Sequence, residues 1–211
     1  MKSNLQRIQF FVWGFLFLVI LAIVAAFIWS KFAAPGKPLL VHNGVVPFSL
    51  TNQHNEVISE KSLAGQIWIA DVIFTRCPLQ CIRMTKRMRE LQQSLSGEKS
   101  VKLISLTADP KFDSPEVLGN YARQYSADQN RWWFLTGPGS EINRLAVTGL
   151  KLAVYEKKPE EREVPADLFV HSTKFVLVDG QGRIRGWFDG ERPESKAEII
   201  QAVKTLLRER K

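Results

Sequence analysis

The polarity pattern divides the chain into two parts. Between Ile8 and Trp29 no residue carries a charge. A run of that length can cross a bilayer as a helix, and Trp13 and Trp29 lie toward its ends, where interfacial anchors sit. A cleaved signal peptide has a shorter apolar region of about 7–15 residues, so a retained anchor is predicted. Beyond residue 45 the apolar runs become short and alternate in period. Phe48-Ser49-Leu50 and Val57-Ile58 flank Thr51-Asn52-Gln53-His54-Asn55 and predict a hairpin. The apolar run 67–74 predicts a buried strand. Cys81, Met84, Met88, Leu91 and Leu95 recur at steps of three and four, one face of a helix, which stops near Gly97.

Further elements follow in the same alternation. Residues 101–106 predict a strand. Ser114-Pro115-Glu116 supplies a cap and an N1 proline for a helix with Val117, Leu118, Tyr121 and Tyr125 inward. Residues 132–135 predict a strand, Ser140 caps a short helix through Val147, and 151–155 predict another strand. Residues 156–165 form a charged loop. Strands at 174–178 and 183–188 flank the turn Asp179-Gly180-Gln181-Gly182, and Ser195 with Glu198 reads as a capping box for the last helix. The order predicts an α/β fold, a central mixed sheet flanked by helices, behind an N-terminal transmembrane helix. The expected organisation is a tail (1–7), an anchor (8–29), a linker (30–44) and a folded domain (45–211).

Composition narrows the partners. Of the 211 residues, about 175 remain for one domain, enough for a full core without staples. The formal charge is +8, but Lys and Arg are interleaved with Asp and Glu. That suits a mildly basic surface facing anionic lipid or an acidic partner. No basic cluster carries interleaved aromatics, which argues against nucleic acid. Lys2 and Arg7 before the anchor balance Lys31 and Lys37 after it. Orientation is therefore read from the short tail and from the thiols, which suit an oxidising outer face.

Both cysteines, Cys77 and Cys81, sit where the 67–74 strand hands over to a helix. Unpaired N–H groups and the helix dipole at such a junction favour a thiolate. A bridge across so short a loop removes little unfolded-state entropy, so the pair points to chemistry rather than stabilisation. Cysteines four apart on a helix have Cβ atoms about 5–6 Å apart. They can close a disulfide with local adjustment or grip one soft ion. Cu(I) prefers thiolates and accepts an imidazole as third ligand, whereas zinc normally wants four Cys or His ligands. His42 and His54 fall in or beside loops and read as solvated. Met84 and Met88, at helical spacing, read as core.

Strand, Cys pair, helix is also the layout of thioredoxin-like active sites. Phe74-Thr75-Arg76-Cys77-Pro78-x-x-Cys81 resembles the copper motif of the Sco/SenC family, the copper chaperones of cytochrome c oxidase assembly. Leu106-Thr107-Ala108-Asp109-Pro110 with Ser114-Pro115-Glu116, Trp133-Phe134-Leu135-Thr136-Gly137, and His171-Ser172-Thr173 with Phe175-Val176-Leu177-Val178-Asp179 resemble further family segments. The resemblance covers about residues 45–208. It implies a thioredoxin-like domain with copper ligands Cys77, Cys81 and His171, holding Cu(I) or Cu(II). It also implies delivery to the Cu(A) subunit of an oxidase from the outer, periplasmic face of the inner membrane. Ile82 stands where many members have proline. Val170 stands where many have aspartate, and Asp167 reads as a solvated loop residue. An alternative is a thiol–disulfide oxidoreductase keeping the target's cysteines reduced, with Cys77 attacking and Cys81 resolving. Peroxidase activity is a weaker third, since no Thr or Arg is evidently arranged around Cys77. By resemblance to thioredoxins, Asp71 on the preceding strand is a candidate proton relay.

Overall fold

The computed structural model describes residues 2–33, 39–78 and 80–210, with side chains of the first helix described for 11–27. The chain divides into two compact units, Met1–Lys37 and Pro38–Lys211. The first is helix α1 (Lys2–Ala33). Its described side chains include exposed Phe11, Trp13, Phe15, Leu18, Ile20, Ile23 and Phe27. Among the described residues no helix is long and apolar enough to cross a membrane. The predicted anchor, 8–29, runs past the described side chains at both ends and lies partly outside them. Residues 34–38 of the predicted linker also lie outside the described residues.

Among its described residues the second unit carries nine strands and four α-helices. In order they are β1 (Ser49–Asn52), β2 (Val57–Ser59), β3 (Ile67–Ile73), α2 (Gln80–Ser94), β4 (Val101–Thr107), α3 (Pro115–Gln124) and β5 (Trp132–Thr136). Then come α4 (Gly139–Asn143), β6 (Val154–Glu156), β7 (Phe169–His171), β8 (Lys174–Val178), β9 (Ile184–Asp189) and α5 (Ser195–Glu209). Seven strands form one sheet in the order β2-β1-β5-β4-β3-β8-β9, and β6 with β7 forms a separate ribbon. The sheet is mixed, as expected. β3, β4 and β5 are parallel, while β8 and β1 run antiparallel to β3 and β5.

Every residue of β3 is buried, the reason its sequence is a continuous apolar run rather than an alternating one. α2 buries Cys81, Met84, Met88 and Leu91 on one stripe, so Met84 and Met88 are core residues. α3 begins as predicted, with Ser114 Oγ accepting the Val117 N–H at 3.3 Å. The parallel strands β3 and β4 end at the same edge of the sheet. Their exit loops meet there, with Ala108 N–H donating to Ile73 O at 2.7 Å. In open α/β sheets that edge is where ligands collect, and here it receives the N-terminus of α2.

Three sequence expectations are corrected. Ser140 caps nothing: α4 starts at Gly139 behind Pro138, whose carbonyl takes the Glu141 N–H at 2.9 Å. The chain then runs on as a π-turn, Arg144–Gly149. Ser195 is not a capping residue, because α5 already includes it and its buried hydroxyl has no partner; Glu198 instead pairs with Arg192 at 3.1 Å. Residues 39–44, assigned to the linker, belong to the folded unit. His42 N–H donates to Ile184 O at 2.9 Å and Gly44 bridges Arg183, so this segment straps the β9 edge.

Candidate metal centre

Cys77 lies in the loop between β3 and α2, Cys81 in the first turn of α2, and His171 at the end of β7. Cys81 and His171, ninety positions apart in sequence, come together with Cys77. One donor atom from each lies within 4.8 Å of the others. Cys81 and His171 are buried, and Cys77 is half-buried. Cys77 and Cys81 are not joined in a disulfide.

The hydrogen bonds fix the site's chemistry. His171 Nδ1 lies 3.2 Å from Ser172 O. A carbonyl only accepts, so Nδ1 carries the proton and the neutral ring offers the Nε2 lone pair. Nε2 lies 3.1 Å from Cys81 Sγ, and the Cys81 thiol therefore donates to it. Phe74 N–H donates to Cys81 Sγ and Cys81 N–H to Cys77 Sγ, both at 3.4 Å. Burial pushes the Cys81 thiol well above its ordinary range, and the neighbouring Cys77 adds to this; the Phe74 N–H opposes it only in part. For Cys81 desolvation therefore outweighs the helix-end effect that the sequence suggested, and a proton stays on sulfur until something positive replaces it.

The donors fit a soft ion. Ligand bonds of about 2.0–2.3 Å to imidazole and thiolate place trigonal donors roughly 3.5–4 Å apart. The observed spread reaches that by shifts of under about 1 Å, with His171 and Cys81 parting slightly. Two thiolates and one imidazole is a donor set for copper. A hollow of about 210 Å³ opens beside it, lined by Cys77, His171, Phe74, Phe169, Lys157 and Asp167.

Asp71 lies beneath, wholly buried on β3 and facing Ser105 of β4 in register. Neither carboxylate oxygen has a hydrogen-bond partner; Ser105 is near enough to ease the charge without reaching hydrogen-bond geometry. Desolvation raises its pKa to about 7, with Ser105 and His171 pulling the other way. Asp167 does not serve His171. It pairs with Lys157 at 2.5 Å, and that hydrogen bond holds its carboxyl below the usual range. His42 stacks edge-on against Trp187 at 4.7 Å and His54 sits in the β1–β2 turn; neither joins the cluster.

Sequence reading missed two features. One is strand β7 and its pairing with β6, the strand expected at 151–155 and found at Val154–Glu156; the pairing sets Val154 opposite His171, and β7, Phe169–His171, is too short to announce itself. The other is a set of contacts from the β4–α3 loop onto Thr75 and Arg76, invisible because the partners are far apart in sequence.

Comparison with known proteins agrees with this arrangement. A family model described as SCO1/SenC matches residues 40–208. A SCO1 protein homolog of Bacillus subtilis is 37% identical over 163 residues, covering 76% of this chain and 81% of that one. The structure of BsSco, described as a Sco-family cytochrome c oxidase assembly protein with a disulfide switch, is 36% identical. It has a TM-score of 0.67, covering 81% of this chain and 96% of that one. A SCO1/SenC family lipoprotein of Bacillus anthracis gives 28% identity and a TM-score of 0.70, covering 79% of this chain and 97% of that one.

Proposed function

Because the chain belongs to the SCO1/SenC family, we propose that it is a membrane-anchored copper metallochaperone that loads the Cu(A) site of a cytochrome c oxidase subunit during assembly. The observation that carries this reading is the convergence of Cys77, Cys81 and His171 within 4.8 Å. Copper is the cargo. Its arrival displaces the thiol protons, including the one that Cys81 shares with His171 Nε2. His171 is held in the required tautomer by Ser172 O. Cys77, half-buried beside the hollow, is the ligand an incoming target thiolate reaches first. Cys81 and His171 retain the ion until exchange is complete. Residues 8–29 anchor the chain in the inner membrane, and the domain works on its outer, periplasmic face.

A bridged pair has no thiolate to offer, so binding is redox-gated. Competition titration of the full chain in detergent should show about one Cu(I) bound by the reduced form and far less by the oxidised form. Equally tight binding by both would sink the copper reading.

One observation favours a second activity on the same thiols. Cys77 is accessible and Cys81 is buried, the division of labour of an attacking and a resolving thiol. Cys77 thiolate would attack a target disulfide and release one target thiol. Cys81 would then attack the mixed disulfide, leaving the target dithiol reduced and Cys77–Cys81 oxidised.

A further inference from the structure

We propose that Asp113, with Asp109 beside it, is a positioning residue for Cys77, acting through the two residues that precede the cysteine. The inference rests on the copper reading above. Of the three ligands, Cys81 is fixed by α2 and His171 by the pairing of β7 with β6. Cys77 has neither support. Its own loop supplies one backbone bond to it, Cys77 N–H to Phe74 O at 3.2 Å.

Cys81 N–H also donates to Cys77 Sγ at 3.4 Å, and the loop is held further by the β4–α3 connection. Asp113 accepts the Thr75 N–H at 3.1 Å and also the Thr75 hydroxyl. Its Oδ2 takes the hydroxyl of Thr107, the last residue of β4, at 2.5 Å. Asp109 Oδ2 accepts from Arg76 Nε at 3.2 Å and Nη2 at 2.5 Å, and the guanidinium lies 4.2 Å over the Phe112 ring. The two acids are themselves tied to the sheet. Asp109 N–H donates to Thr107 Oγ1 at 2.9 Å and Asp113 N–H to Asp109 O at 2.8 Å. Asp113 is wholly buried, and the donors from Thr75 and Thr107 offset part of the cost of burying its carboxyl. Rigid β4 is thus linked through Thr107 and Asp113 to Thr75, two residues from the metal-binding sulfur. No copper donor is touched, so any effect on copper passes through the placement of Cys77.

The test uses the full chain in detergent and three variants: Thr75→Val, which deletes one hydroxyl, Thr75→Ser, which keeps it, and Asp113→Asn. Cu(I) affinity is read by competition with a chromophoric Cu(I) chelator. The dithiol–disulfide equilibrium against glutathione is read on the metal-free chain. Thr75→Val should bind Cu(I) about tenfold more weakly, as for loss of a group that orients a ligand, and should shift the dithiol equilibrium. Thr75→Ser should restore both, and Asp113→Asn should fall at or beyond Thr75→Val. If Asp113→Asn does not fold, the Thr75 pair carries the test. Wild-type values in Thr75→Val for both readouts would overturn the proposal, as would failure of Thr75→Ser to restore them. If the wild-type chain itself bound no Cu(I), the copper reading would fail instead, and the dithiol equilibrium would still decide whether the clamp places Cys77.

Discussion

His171 reaches Cys81 through one atom, Nε2, and on the copper reading proposed above removing that atom should separate two kinds of chemistry. His171→Ala leaves two thiols and an open position. Copper retention should fall, and Cu(II) binding should fall most because that ion depends more on nitrogen donors. Dithiol oxidation and reduction should continue at nearly the same potential, whereas Cys77→Ser should abolish both activities. Competition titrations with each oxidation state check this, and unchanged affinities would promote the oxidoreductase reading over the chaperone reading. Asp71 gives a pH signature. Its carboxyl is raised to about 7 from about 3.9 in an unfolded chain. Between those values the folded state holds more protons than the unfolded state, so stability falls as pH rises through the window and the deficit is complete above it. Asp71→Asn should therefore be more stable than wild type at pH 8, by up to roughly 4 kcal/mol, and the gap should close below about pH 4. Melting curves of the metal-free chain at several pH values check the sign; a constant gap would show that Asp71 does not titrate on folding. Because Asp71 and the thiols share a field, we also propose it as their proton relay, and Asp71→Asn should displace the pH profile of Cys77 alkylation. The Cys77–Cys81 pair was legible in sequence because two thiols at a strand–helix junction mark themselves, whereas His171 was reached only through the family resemblance. Asp113 was not legible, since its partner Thr75 lies 38 positions away and nothing local marks the pairing.

At the scale of elements, the site is assembled from pieces of unequal firmness. β3 and α2 are built into the core, and their periodicities were readable for that reason. The β6–β7 ribbon has three residues per strand and is held to the body by side chains. Phe74 packs edge-on to Phe169 at 5.3 Å and to His171 at 5.8 Å. An aromatic edge contact is worth about 0.5–1.5 kcal/mol beyond its buried area. Phe169→Ala should therefore loosen the ribbon and weaken Cu(I) binding by about two- to tenfold. The dithiol potential should hardly change, because neither cysteine rides on the ribbon. Cu(I) competition beside a glutathione equilibrium checks this, and a shift in the potential alone would refute it. The mistaken helix starts at Ser140 and Ser195 share one cause. A serine ahead of an apolar stripe fits a cap by type, but caps depend on backbone angles. Pro138 and Glu194 had already begun the turns, which sequence type does not record.

Across the whole folded unit, stabilisation and chemistry occupy opposite ends of β3. Cys77 and Cys81 follow its last residue, while Gly65, two residues before its first, donates to Gly180 O at 2.8 Å in the β8–β9 turn. Seven residues of strand at about 3.3 Å each separate the two ends by roughly 20 Å. At the far end Arg185, only 4% exposed, bonds Asp179 at 3.1 Å and Glu209 at 2.8 Å. It also donates to the carbonyls of Leu40 at 3.2 Å and Leu39 at 3.0 Å. One guanidinium thus fastens the strap, β9, the turn and the end of α5. Arg185→Met would keep much of the volume but leave buried Asp179 without one of its two cations and two carbonyls without their donor. Breaking a buried pair from one side costs about 3–5 kcal/mol, and in a domain of this size each kcal/mol is about 2–4 °C. The melting temperature should therefore drop by roughly 6–20 °C, with hydrogen exchange rising first in residues 39–46. Sites this far apart with no shared partner behave additively, so Cu(I) affinity of the folded variant should stay within about twofold of wild type. A large loss of copper affinity at a temperature where the variant is fully folded would mean that the two ends are coupled through β3, and that the strap takes part in metal handling rather than only in holding the fold.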